Sequence, residues 1–188
     1  MSRLRGLAGG IGLLIAGAAG AQDLQGRDTA GNWRVTHYSS HGIWNTICDE
    51  REEQGALKRR CYIRWVDVYA EAPAFGAMFT FVTPRGGAGG RHDVMFGPEP
   101  GTAFAADGFR IDRDGRTVWQ MQDRRCLLWA DCSLDAEESA AVLQAMQQGG
   151  VFHFEFTGRH GRRFNLAWPL EGFAEAFETY EQQWRQRQ

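Results

Sequence analysis

Hydrophobic residues along this chain fall mostly into short runs that alternate with polar ones. Cys61, Ile63, Trp65 and Tyr69 share one side of such a run, and Tyr62, Arg64, Val66 and Val68 share the other. That is the period of two that a strand imposes on its side chains. Phe75, Ala77, Phe79 and Phe81 repeat the pattern until Pro84 stops it. Phe109 and Ile111 lead into the turn residues Asp112-Arg113-Asp114-Gly115, and Val118 to Met121 lead out again, which predicts a hairpin. Phe152, Phe154 and Phe156 occupy one face of a further strand whose other face carries His153 and Glu155. Gly158-Arg159-His160-Gly161 turns the chain, and Phe164, Leu166 and Trp168 return on one face.

Two stretches follow the longer period of a helix. Asp135 can cap the first, with Glu138 completing a capping box, and Ala136, Ala140, Leu143 and Met146 then fall on one side. Gly149-Gly150 ends it. The second runs from about Gly172 to the terminus, with Phe173, Phe177, Tyr180 and Trp184 as an aromatic stripe that can pack on a sheet. Many short strands with few helices make the fold mainly β. The expected architecture is a β-sandwich or a partly closed β-barrel with one short internal helix and a C-terminal amphipathic helix. The glycine-rich stretch 85–91 reads as a loop within one domain.

The first 21 residues differ in character. Arg3 and Arg5 precede an uncharged apolar stretch from Leu7 to Ala19, and Ala19-Gly20-Ala21 forms a small-x-small site before Gln22. This is the three-part pattern of a secretory signal peptide. A permanent anchor is the alternative, but the stretch falls short of the ~20 apolar residues a span requires. No cysteine follows to carry a lipid. The chain therefore divides into a signal peptide, 1–21, an N-terminal extension, 22–41, and a single domain, 42–188, with no transmembrane segment after cleavage.

Composition changes this picture little. At 188 residues, 43% apolar and 23% charged, the chain suits one globular domain. A net charge of −2 lacks the basic footprint of a nucleic-acid partner. The four cysteines, Cys48, Cys61, Cys126 and Cys132, all lie outside the leader. An even count in an exported chain reads as two disulfides, with three connectivities open. Cys48–Cys61 and Cys126–Cys132 are favoured, because each pair of near neighbours flanks a turn-like segment. A zinc site is the rival, but it lacks Cys-x-x-Cys spacing and a nearby histidine pair.

No catalytic constellation emerges. There is no Gly-x-Ser-x-Gly elbow or His-Glu-x-x-His, and the 85–91 loop is followed by no Lys-Ser/Thr, so it is not a P-loop. His37 and His41 share one side of a strand-like stretch, which leaves metal binding open there. His153 and Glu155 read as a solvated face. The basic runs Lys58-Arg59-Arg60, Arg124-Arg125 and Arg162-Arg163 are offset by nearby acids such as Asp49, Glu50, Glu52 and Glu53. The best candidate for contact is Leu127-Leu128-Trp129 inside the second cysteine loop. A short disulfide-closed loop costs little to order on binding, and Trp is over-represented among interface anchors. The alternative is that Trp129 tucks onto the core.

Gly42-Ile43-Trp44-Asn45-Thr46-Ile47-Cys48 is similar to a Gly-x-Trp-x-x-x-Cys opening, and Cys61 follows after a polar, charged loop. Cys126 to Cys132 resembles a second, short-range cysteine pair. A short helix, Gly149 and the strand at 151–157 come next, and Leu170-Glu171-Gly172-Phe173-Ala174-Glu175-Ala176 is similar to a Leu-x-Gly-Phe-x-x-Ala close. In this order and spacing the features resemble the bacterial invasion-associated locus B proteins over roughly residues 42–178. The resemblance implies an exported protein of the periplasm or outer envelope, from a family connected in one pathogen lineage with entry into host cells. It implies no reaction. The leading expectation is a non-enzymatic envelope protein, without cofactor, that binds another protein or a surface component. An accessory subunit of an envelope or membrane complex and an enzyme with an unrecognised site are the alternatives. The sequence leaves the oligomeric state open.

Overall fold

Two tight turns organise the larger sheet. Gly42-Ile43 joins β1 (Arg34–His41) to β2 (Trp44–Glu53), and Gln54-Gly55 joins β2 to β3 (Ala56–Ala70). Gln54 and Gly55 both adopt positive φ, 53° and 74°, as the favoured two-residue hairpin turn requires. The computed structural model describes residues 32–70, 76–85, 91–98, 109–121, 132–158 and 161–188. In it β4 (Gly76–Pro84), β5 (His92–Pro98) and a short β8 (Cys132–Ser133) complete a six-stranded antiparallel sheet in the order β1-β2-β3-β4-β5-β8. The second sheet is built from β6 (Phe109–Arg113), β7 (Arg116–Gln120), β9 (Val151–Thr157) and β10 (Arg163–Pro169), in the order β10-β9-β6-β7. The two sheets share no strand, so the fold is sandwich-like rather than a closed barrel.

The inner faces meet through aromatic rings. Phe154 stacks on Trp168 with centroids 5.1 Å apart and meets Phe96 of the opposite sheet at 4.9 Å. Cys48, Cys61, Ile63, Val82 and Val94 complete the larger sheet's side of the core, and Phe109, Ile111 and Phe152 the smaller one's. The expected alternation in β6, β9 and β10 is present with the expected faces inward.

In β4 the strand is present but the other face is buried. Met78, Thr80 and Val82 point inward, and Phe79 and Phe81 lie half-buried on the outer side. Pairing decides this: Val82 lies opposite Ile63 and Thr80 opposite Trp65, so they share the face of Cys61, whereas Phe81 lies opposite Arg64. A one-residue offset in register exchanges the two faces of a strand.

α1 (Ala136–Gln147) carries the capping box read from sequence: the Asp135 carboxylate accepts from Glu137 and Glu138 N–H, and Glu138 reaches back to Asp135 N–H. Its buried residues are Ser139, Val142, Leu143 and Met146, while Ala140 is exposed. The helix is rotated from the expected stripe because Ser139 Oγ accepts from Val94 N–H at 3.1 Å, tying a polar position to β5. α2 (Phe173–Arg185) buries Phe173, Ala176 and Tyr180 and leaves Phe177 and Trp184 half-buried. Thr46 Oγ1 donates to the Ala176 carbonyl at 2.9 Å, fastening α2 to β2. Among the described residues no helix is long and apolar enough to cross a membrane.

The inner side of α2 should dominate its contribution to stability. Phe173→Ala should cost ~3–5 kcal/mol, the range for truncating a large buried aromatic. Exposed Gln182→Ala should stay within ~0.5 kcal/mol. Urea denaturation of the two variants checks this.

Candidate functional site

β4 pairs with β3 only from Ile63 to Ala70, and β1 reaches only to Glu50 on β2. The far ends of β2 and β3 therefore extend as a two-stranded ribbon. Cys48 and Cys61 lie directly opposite one another at its base, joined by a disulfide and 0% and 1% exposed. On the inner side the bond is part of the core. On the outer side the next pair along is Asp49 and Arg60.

This pair anchors an aromatic and cationic cluster. Asp49 is buried, and its two carboxylate oxygens accept from Arg60 Nε at 2.6 Å and Nη2 at 3.0 Å. Tyr62 Oη donates to Oδ2 of the same carboxylate at 3.3 Å. The Arg60 guanidinium lies over the Trp33 ring, 3.8 Å from its centroid, and Arg51 lies over the same ring at 4.7 Å. The carboxylate hydrogen bond keeps Arg60 protonated more firmly than an ordinary arginine. Burial, then the Asp49 charge, pushes the Tyr62 phenol up. Tyr62 meets Phe81 at 6.0 Å, so the cluster continues onto the outer face of the sheet. The arrangement is a fork-like ion pair whose guanidinium is stacked on an indole ring.

The basic run 58–60 belongs to this ribbon, where Arg59 faces Glu50 and Arg60 binds Asp49. His37, His41, His92 and His153 each have a side-chain partner of their own, and His160 lies outside the described residues. His37 Nε2 meets Ser39 Oγ and His41 Nε2 meets Thr179 Oγ1, both at 3.3 Å. His92 Nε2 pairs with Glu181 Oε1 at 2.6 Å. Among the described residues no group of three or more His, Cys, Asp and Glu could hold a metal. His153 Nδ1 contacts Asn165 Oδ1 at 2.9 Å on the outer face of the second sheet, and Asn165 Nδ2 donates to Glu155 at 2.9 Å. Arg110 binds both Glu155 and Asp112, so this face is a chain of matched polar groups. Cys132 is disulfide-bonded, and Cys126, Leu127, Leu128 and Trp129 lie outside the described residues.

Residues 44–181 match the family described as Invasion associated locus B (IalB) protein. The chain belongs to the IalB family. A comparison with curated proteins finds no match. Among solved structures, invasion associated protein B from Bartonella henselae is similar at a TM-score of 0.54 and 16% identity, covering 80% of this chain and 99% of that one. At that identity the likeness speaks for the fold.

The opening and closing motifs that carry the IalB resemblance touch one another. A Cβ on Gly42 would lie 2.8 Å from the Glu171 carbonyl oxygen, and one on Gly172 would lie 2.7 Å from the His41 carbonyl. Both glycines also have positive φ, 60° and 82°. Beside them Trp44 meets Phe173 edge-on at 5.0 Å, and Trp44 Nε1 donates to the Pro169 carbonyl at 3.1 Å.

The Asp49 cluster was missed in the sequence, although a signal exists. Counting outward from the Gln54-Gly55 turn pairs Cys48 with Cys61 and Asp49 with Arg60. Trp33 carries no such signal, since it precedes β1 and reaches the ribbon only in the fold.

Arg60→Ala should destabilise the protein by ~1–3 kcal/mol, because it leaves a buried carboxylate short of donors. Arg60→Lys should recover only part, since an ammonium cannot reproduce the fork. Chemical denaturation of both variants tests this. His37 should give an acid-side signature. Burial, then Arg187 and His41, hold its pKa below the ordinary 6.5. The unfolded chain therefore takes up the proton more readily than the folded one. The contribution is whole above that value and is lost as pH falls through it. His37→Gln should flatten the decline in stability between about pH 7 and 5. An unchanged slope would place the acid sensitivity elsewhere.

Proposed function

We propose that this chain is exported from the bacterial cytoplasm and works in the periplasm or outer envelope as a non-enzymatic binding protein for a protein or surface component. The observation that carries the reading is the buried disulfide Cys48–Cys61 in a chain of the IalB family. Such bonds form and persist in oxidising compartments and are rare in the reducing cytoplasm. The charged start and apolar stretch of residues 1–21 supply the route of export.

The matched polar faces support a scaffold role. Asp49 with Arg60, Glu50 with Arg59, and Arg110 with Asp112 and Glu155 are held in pairs, so these side chains need little further ordering on contact. Leu127-Leu128-Trp129 supplies an apolar anchor between Cys126 and Cys132 in this reading, with Asp131 and Arg125 at its rim. A link to host-cell entry comes from the family and from the name of the Bartonella henselae protein.

Intact mass of protein recovered from the periplasm should correspond to a chain beginning at Gln22. A mass retaining residues 1–21 would contradict removal of the leader. Trp129→Ala should lose partners captured from envelope extract while its melting temperature stays within a few degrees of wild type. Unchanged partners with a large drop in melting temperature would place Trp129 in the core.

A further inference from the structure

β1 is the terminal strand of the six-stranded sheet, so among the described residues no strand lies along its outer edge. The hairpins fix which main-chain groups face that edge. His41 lies opposite Trp44 across a two-residue turn, and such a flanking pair exchanges both hydrogen bonds, after which bonded and non-bonded pairs alternate. His41, Ser39 and His37 therefore direct N–H and C=O toward β2, and Ser40 and Tyr38 direct theirs outward. The β2–β3 hairpin gives the same answer independently. Counting from Glu53 opposite Ala56 makes Cys48 and Cys61 a non-bonded pair, and their Cα separation of 4.1 Å agrees with the ~4.5 Å of that class. The Cys48 main chain is thus committed to β1, at His37.

The edge that offers these donors and acceptors is also apolar. Tyr38 and Val35, at 60% and 57%, are the two most exposed large hydrophobic residues of the described chain. Edge strands are ordinarily guarded by lysine, proline or inward-pointing charge. β1 has no Lys, Pro, Asp or Glu, and its one formal charge, Arg34, is bound to Glu50 of the same chain. α2 packs against the inner face of β1, where His41 meets Thr179, and does not cover Tyr38 or Ser40.

We propose that β1 pairs antiparallel with β1 of a second copy of this chain, joining the two six-stranded sheets edge to edge across a two-fold axis at Ser39. With Ser39 opposite its own copy, Tyr38 falls opposite the partner's Ser40, and Ser40 opposite the partner's Tyr38. Both are outward-directed pairs and each exchanges two main-chain bonds. Charge favours a second copy as the occupant. In a two-fold interface every group meets its own patch, so a formal charge near the axis would face its like. The stretch from His37 to His41 holds no Lys, Arg, Asp or Glu, and Arg34 falls beyond the paired residues. Tyr38 and the partner's Tyr38 then lie on the same outer face, covering apolar surface that the single chain exposes.

Sedimentation equilibrium of the full chain purified from the periplasm tests the pairing. A reversible monomer–dimer equilibrium is expected. Ser40→Pro removes an outward N–H and no bond of the β1–β2 ladder, and Tyr38→Lys puts a charge beside the axis. Each should weaken the dimer at least tenfold with the melting temperature within a few degrees of wild type. Val68→Lys, on an exposed position of β3 away from the edge, should leave it intact. Wild-type protein that stays monomeric at all accessible concentrations would overturn the proposal. So would a dimer that persists in Tyr38→Lys, since another surface would then hold it together.

Discussion

The pairing of Cys48 with Cys61 is the constraint on which the rest of this structure depends. The two residues face one another across β2 and β3, and the bond between them locks the register that the Gln54-Gly55 turn and the buried inner face set. Everything on either side of the larger sheet follows from it. With Cys61 inward, Ile63 and Trp65 face the second sheet, and through β4 so do Val82 and Thr80. With Asp49 outward, Arg60 and Tyr62 converge on one carboxylate and Trp33 stacks above them. A shift by one residue would bury Arg60 and expose Ile63, at a cost in desolvated charge that the fold could not recover.

A second constraint joins distant parts of the chain. Gly42 and Gly172 approach so closely that neither tolerates a side chain, and Trp44 and Phe173 pack beside them. The first hairpin and the last helix therefore close on each other. In this chain both glycines are needed for backbone proximity and positive φ. The disulfide holds the register of the sheet, and the glycine contact holds the helix to it.

Much of this was legible in the sequence because it is local. The capping box at Asp135, the Phe152-Phe154-Phe156 face and the hairpin at Asp114-Gly115 need only neighbouring residues to declare themselves. The alternation through Phe79 and Phe81 declares a strand but not which of its faces turns inward. Their true face depends on β3, which lies in a different part of the sequence. The orientation of α1 went astray in the same way, since a hydrogen bond from Val94 N–H draws Ser139 inward. Of the candidate site, the two cysteines were read directly. The Asp49–Arg60–Trp33 cluster was not, because a buried carboxylate paired with an exposed, ring-stacked arginine looks in sequence like ordinary surface charge.

Non-reducing peptide mapping joined to denaturation with and without reductant tests the central role of the Cys48–Cys61 bond most directly. The account predicts a linked peptide pair containing Cys48 and Cys61. In a Cys48→Ala/Cys61→Ala variant it predicts a loss of ~3 kcal/mol, the stabilisation a bridge closing a loop of this size confers. Adding reductant to that variant should not lower its stability by the same amount again. Cys48 found free or joined to Cys126 or Cys132, or a double variant as stable as wild type, would contradict the account.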